Sequence, residues 1–143
     1  MEGQMSDNTE ISNYKGKIEW SLFFMRITIF LVMFAWTVDK FVDPSHGAAI
    51  LKGFYFIGGA GEQLVMAMGA AEMVLILAFL AGMWKKYTYG LILVFHGLTT
   101  LASWDRYIPP DVSLTFYTAW PMLAACITLY WLRDLDQKFT LSK

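Results

Sequence analysis

Three ionisable residues stand inside long apolar runs: Arg26, Glu72 and His96. In hydrocarbon a charge at mid-bilayer costs about 2.5 to 3.5 kcal/mol on the insertion scale, so each is expected to turn inward and find a partner. Counting about 1.5 Å per residue from one end of the runs puts Arg26 roughly 9 Å deep, His96 roughly 14 Å and Glu72 roughly 17 Å. The length of an arginine side chain then lets Arg26 and Glu72 meet, with His96 at a level between them. Two consequences are open. The three can line a polar pocket in which Glu72 or His96 exchanges protons with a small ligand. Alternatively, Arg26 and Glu72 form an ion pair that fixes helix packing, or Arg26 snorkels to the interface, and His96 is an interior histidine with a hydrogen bond.

A second constellation is aromatic. Tyr117 and Trp120 precede Pro121, which is expected to kink its helix or free a carbonyl toward the interior. Together with Arg26 they are candidates to line a flat apolar slot of the kind that takes a quinone ring, and as interfacial anchors they need no ligand. Asp39, Lys40, Asp43, Asp105 and Arg106, with Glu62 nearby, gather at the other end of the runs. They form either the mouth of a cavity or a solvated rim of ion pairs.

Other chemistries are excluded or weakened. Cys126 is the only cysteine, so one copy has no disulfide, no redox pair and no thiolate cluster. Haem needs axial ligands at matching depth, whereas His46 falls in an outer connection and His96 is deep. The nine methionines are scattered, and no metal site is expected from them. A net charge of -1 without a basic run argues against nucleic acid.

The elements that position these residues follow from hydropathy. With 57% apolar and 16% charged residues in a single-domain length of 143, the chain needs lipid as a partner for its surface. Four apolar segments, about 20–38, 64–83, 87–103 and 114–132, are each near the roughly 20 residues that cross a bilayer. They predict an all-α fold, an integral membrane four-helix bundle. Residues 1–19 and 133–143 read as polar tails. Between the first two segments, Ile50, Leu51, Phe54, Tyr55 and Ile57 are too short a cluster to span, and predict a short interfacial helix. Lys15, Lys17, Lys85, Lys86, Arg133, Lys138 and Lys143 fall on one side and Lys40, Lys52 and Arg106 on the other, which makes the first side, with both termini, cytoplasmic.

On these residues the chain resembles the DoxX-like family of small four-helix membrane proteins, over most of residues 22–103. The resemblance lies in Arg26 early in the first helix, Lys40-Phe41-Val42-Asp43-Pro44 closing it, and the run from Gly69-Ala70-Ala71-Glu72 to Gly82-Met83-Trp84-Lys85-Lys86. It implies a four-helix bundle in the bacterial inner membrane. For some members it implies a membrane subunit of a thiosulfate:quinone oxidoreductase, with quinone as cofactor and other subunits of a redox complex as partners. The expected function is accordingly a subunit or accessory protein of a quinone-linked redox system. A proton-linked small-solute carrier and a purely structural or assembly subunit are the alternatives.

Overall fold

A computed structural model describes the backbone of residues 2–142 and the side chains of residues 12–142. Among the described residues the fold is helical throughout: α1 (Glu2–Val42), α2 (Pro44–Tyr55), α3 (Glu62–Leu80), α4 (Lys85–Ala102) and α5 (Ala119–Trp131). Short 3-10 turns occupy Trp104–Tyr107, Leu114–Thr118 and Arg133–Leu135. Two of the helices are long and apolar enough to cross a membrane, α1 over Ser12–Val42 and α3 over its whole length.

Helix α1 packs on α3 and α5, and α4 packs on the same two, so four helices close around one core. Leu22, Ile29, Ile76, Phe79, Ile92 and Leu129 fill it, and Tyr89 meets Phe79 edge-on with ring centroids 4.9 Å apart. The buried positions of α1 are Leu22, Arg26, Ile29, Met33 and Thr37. Those of α4 include Lys85, Tyr89, Ile92, His96 and Thr100. Both sets step by three and four residues, the spacing that lines one face of a helix.

Helix α1 begins far earlier than the first apolar segment, because residues 2–19, expected as a tail, are helical and no proline interrupts them. It ends where Pro44 restricts the residue before it: Asp43 has an extended φ of -136°. Pro44 then occupies the first turn of α2, where its missing N–H is not needed, and the Asp43 carboxylate caps the helix by accepting from the His46 amide. The expected short helix is thus present. It lies close on α3, since a Cβ on Gly47 would stand 2.5 Å from Val65 Cγ1.

The fourth apolar segment is not one helix. Residues 114–118 form a 3-10 turn and α5 starts at Ala119, which places Pro121 in the first turn and leaves 13 residues of α-helix. Proline has no N–H to give to the carbonyl four residues back, so a regular helix cannot run through it unchanged. The carboxyl-terminal residues also depart from expectation, because 133–142 fold back onto the molecule rather than trail away. The Leu141 N–H donates to the Ala81 carbonyl at 2.9 Å, and the Ser142 hydroxyl donates to the Gly82 carbonyl.

Candidate functional site

Arg26 is 0% exposed and is the centre of the buried polar structure. Its Nη1 lies 2.8 Å from Asp136 Oδ2 and 3.2 Å from the Tyr89 hydroxyl. Its Nη2 donates to the Lys138 carbonyl, and the Phe23 ring lies against the guanidinium with its centroid 5.6 Å away. The Tyr89 hydroxyl in turn donates to Asp136 Oδ2 at 2.7 Å. Lys85 Nζ donates to the Asp136 main-chain carbonyl. Helix α1 therefore supplies the guanidinium, α4 the phenol and ammonium, and the carboxyl-terminal segment the carboxylate. Charge-assisted bonds of this kind are about twice as strong as neutral ones. Just outside, Lys138 Nζ approaches Glu19 Oε2 at 3.4 Å.

The backbone is shaped for this docking. Gly82 has φ +62°, and a Cβ there would stand 2.5 Å from Thr140 Cγ2 and 3.0 Å from Arg26 Nη1. A side chain at position 82 would therefore separate the segment from the α3–α4 turn. In this cluster two buried atoms have no hydrogen-bond partner, Arg26 Nε and Asp136 Oδ1.

Glu72 does not meet Arg26, which corrects the expectation of a shared pocket. Its Oε2 pairs with Lys40 Nζ at 2.8 Å, with side chains 16% and 22% exposed. Lys40 is fourteen residues beyond Arg26 on α1, about 21 Å along the axis. Arg26 instead sits at the level of Gly82, at the end of the α3–α4 pair where the two helices are joined. Counting depth from the ends of the runs missed this because it treated the arginine as reaching upward, whereas the carboxyl-terminal segment meets it from below.

His96 is buried at 9% exposure, and its Nε2 lies 3.0 Å from the Ala119 carbonyl. It bonds toward α5 while Glu72 bonds toward α1, so the two candidate proton-exchanging groups engage different helices. Tyr117 and Trp120 are half-exposed and form a cluster with Tyr107 at the end of the molecule away from Arg26. The Tyr107 ring lies 5.4 Å from Tyr117 and 5.6 Å from Trp120, centroid to centroid. The Tyr117 hydroxyl donates to the Tyr107 carbonyl at 2.8 Å, and the Tyr107 hydroxyl donates to the Thr100 carbonyl at 2.9 Å. Burial, with Tyr117 beside it, raises the Tyr107 pKa above the ordinary phenol value. Arg26 is thus not part of this aromatic group.

The charged rim at that end is organised by local pairs. His46 Nδ1 lies 2.7 Å from Asp39 Oδ2, and the Trp36 ring stacks on the imidazole. The Ser45 hydroxyl donates to Asp43 Oδ1, and this bond, followed by the His46 amide, lowers the Asp43 pKa below the usual carboxylate range.

Sequence reasoning missed Asp136, Tyr89, Lys85 and Lys40 as partners. Three of them carried a signal: Lys85 and Tyr89 share a helical face with His96, and Lys40 continues the face of Arg26 and Thr37. Asp136 carried none, since it sits in a polar stretch beyond the last apolar run. No family model matches the chain, and neither a curated protein nor a solved structure matches it.

Proposed function

We propose that the chain is an integral four-helix membrane protein of the bacterial inner membrane, both ends cytoplasmic, serving as a small subunit or accessory protein of a quinone-linked redox system. One observation carries the membrane placement: large apolar side chains are widely exposed, while charged and hydroxyl side chains are buried within an apolar core. Leu31, Val74, Val94 and Leu98 are 57%, 71%, 53% and 54% exposed, whereas Arg26, Thr37 and Thr100 are 0% exposed. A protein in water reverses that order, and hydrocarbon is the solvent that rewards it.

Exposed tryptophans support the same frame. Trp20, Trp84 and Trp131 project at the end that carries the carboxyl-terminal segment, and Trp36, Trp104 and Trp120 at the other, as side chains do at the two interfaces of a bilayer. The first end also holds Lys85, Arg133 and Lys138, which supports its assignment to the cytoplasm. Helix α5 and its preceding 3-10 turn together make up the fourth crossing, and α2 lies at the outer interface.

The role as a subunit is favoured over that of a carrier because the buried charges are engaged in holding this chain together. Glu72 has Lys40, His96 has a carbonyl, and Arg26 is enclosed by Asp136 and Tyr89. The quinone association is supported by the DoxX-like residues and by an aromatic cluster in which the half-exposed Tyr117 and Trp120 rings stand at 68° and 51° to the Tyr107 ring. Gentle purification from native membranes, with mass spectrometry of co-purifying proteins and lipids, tests this. Recovery of a redox partner with quinone, reduced by Trp120→Ala, supports the proposal. Recovery of the chain alone without quinone, or full quinone-linked electron transfer in the Trp120→Ala variant, overturns it.

A further inference from the structure

The carboxyl-terminal segment reaches the bundle by placing one carboxylate among donors that two helices already present. Arg26 from α1 and Tyr89 from α4 both bond Asp136 Oδ2, while Lys85 from the same face of α4 holds the Asp136 carbonyl. Two positive charges thus converge on Asp136, Arg26 on its carboxylate and Lys85 on its main-chain carbonyl. The fit is incomplete, for Arg26 Nε and Asp136 Oδ1 are both buried and both without a partner. A guanidinium presents a fork that a tetrahedral or planar oxyanion satisfies on two edges; here only one carboxylate oxygen is used. The segment is also held in an unfavourable backbone state, since Phe139, an L residue with a side chain, has φ +51°. Its ring is 74% exposed and rests on Phe23 at 5.2 Å between centroids.

We propose that Arg26, Tyr89 and Lys85 form a binding site for an oxyanion, a phosphate or carboxylate group, and that the carboxyl-terminal segment occupies it in cis through Asp136. A ligand bearing such a group displaces the Asp136 carboxylate, takes up both edges of the guanidinium and releases residues 136–142 from the α3–α4 turn. The shared chemistry is that of a free phosphate or of an anionic lipid headgroup, and the site lies at the end of the bundle where either can arrive. The proposal stands independently of the redox role.

Hydrogen exchange of the full chain in phosphatidylcholine nanodiscs reads the release directly, because the Leu141 amide is protected only while it bonds the Ala81 carbonyl. Sodium phosphate is titrated at constant ionic strength against sodium chloride, and a second preparation uses phosphatidylglycerol nanodiscs without phosphate. Loss of a charge-assisted bond corresponds to an increase in exchange of about tenfold or more. A saturable increase with phosphate identifies a soluble ligand, and an increase in phosphatidylglycerol alone identifies the headgroup. Lys85→Gln is expected to weaken either response, and Asp136→Asn to raise Leu141 exchange with no anion present. If exchange is unchanged in both arms, if chloride acts as well as phosphate, or if Asp136→Asn leaves Leu141 protected, the proposal is overturned.

Discussion

Arg26 and Glu72 are both charged residues on apolar helices, yet their surroundings assign them different energetic weights. Arg26 and Asp136 are each 0% exposed, so removing one partner leaves a buried charge uncompensated, at a cost of about 3 to 5 kcal/mol. Glu72 and Lys40 are 16% and 22% exposed, a pair less enclosed than the first but still largely withdrawn from solvent, and losing the charge on one side costs about 1 to 3 kcal/mol. Unfolding in detergent micelles should therefore show Glu72→Gln about 1 to 3 kcal/mol below the unaltered protein, and Asp136→Ala further below it. His96→Ala should fall in the same range as Glu72→Gln, about 1 to 3 kcal/mol, because it strips the Ala119 carbonyl of its partner inside the fold. That Arg26, Glu72 and His96 need partners was legible from their place in apolar runs. Which partners they find was not, since Asp136 lies 110 residues from Arg26 and nothing in its own neighbourhood marks it.

Among the elements, the helices themselves were largely legible and their junctions less so. Periodicity and length located α3 and α4 within a few residues. Pro121 was expected to kink a helix over 114–132 or to free a carbonyl, whereas α5 starts two residues before it, and the 3-10 turn ahead of α5 depends on where the connection delivers the chain. The α3–α4 turn is the junction on which most depends. Gly82→Ala should destabilise the protein by more than the roughly 1 to 2 kcal/mol of a left-handed φ alone, because the new methyl also meets Thr140. Raised proteolysis of residues 134–142 would report the displaced segment. Gly47→Ala meets Val65 without any φ penalty, so its cost of about 1 to 3 kcal/mol should be recovered largely by Val65→Ala, read from the same unfolding midpoint. At the α1–α2 junction the folded Asp43 pKa lies below its ordinary 3.8. Its capping contribution is therefore full above that value and is lost as pH falls through the lower folded one, and exchange at the His46 amide should rise over that window.

For the molecule as a whole, an exterior rich in exposed apolar side chains was foreshadowed by composition, whereas the docking of residues 133–142 was not. A stretch read as a polar tail closes the bundle: Arg26 ties it to α1, Tyr89 and Lys85 to α4, and the Ala81 and Gly82 carbonyls to the α3–α4 turn. The membrane frame predicts that an impermeant maleimide applied to intact cells labels Lys52→Cys and spares Gln137→Cys, each made in a Cys126→Ser background. Closure by the arginine is tested most directly by the coupling between its two charged partners. Arg26→Met and Asp136→Leu are compared singly and together by unfolding in one detergent. The double variant is predicted to lose less stability than the sum of the single losses by roughly 2 kcal/mol or more, since each single change strands a buried charge that the other removes. Losses that add to within about 0.5 kcal/mol would mean that Arg26 and Asp136 act separately, and would contradict the account.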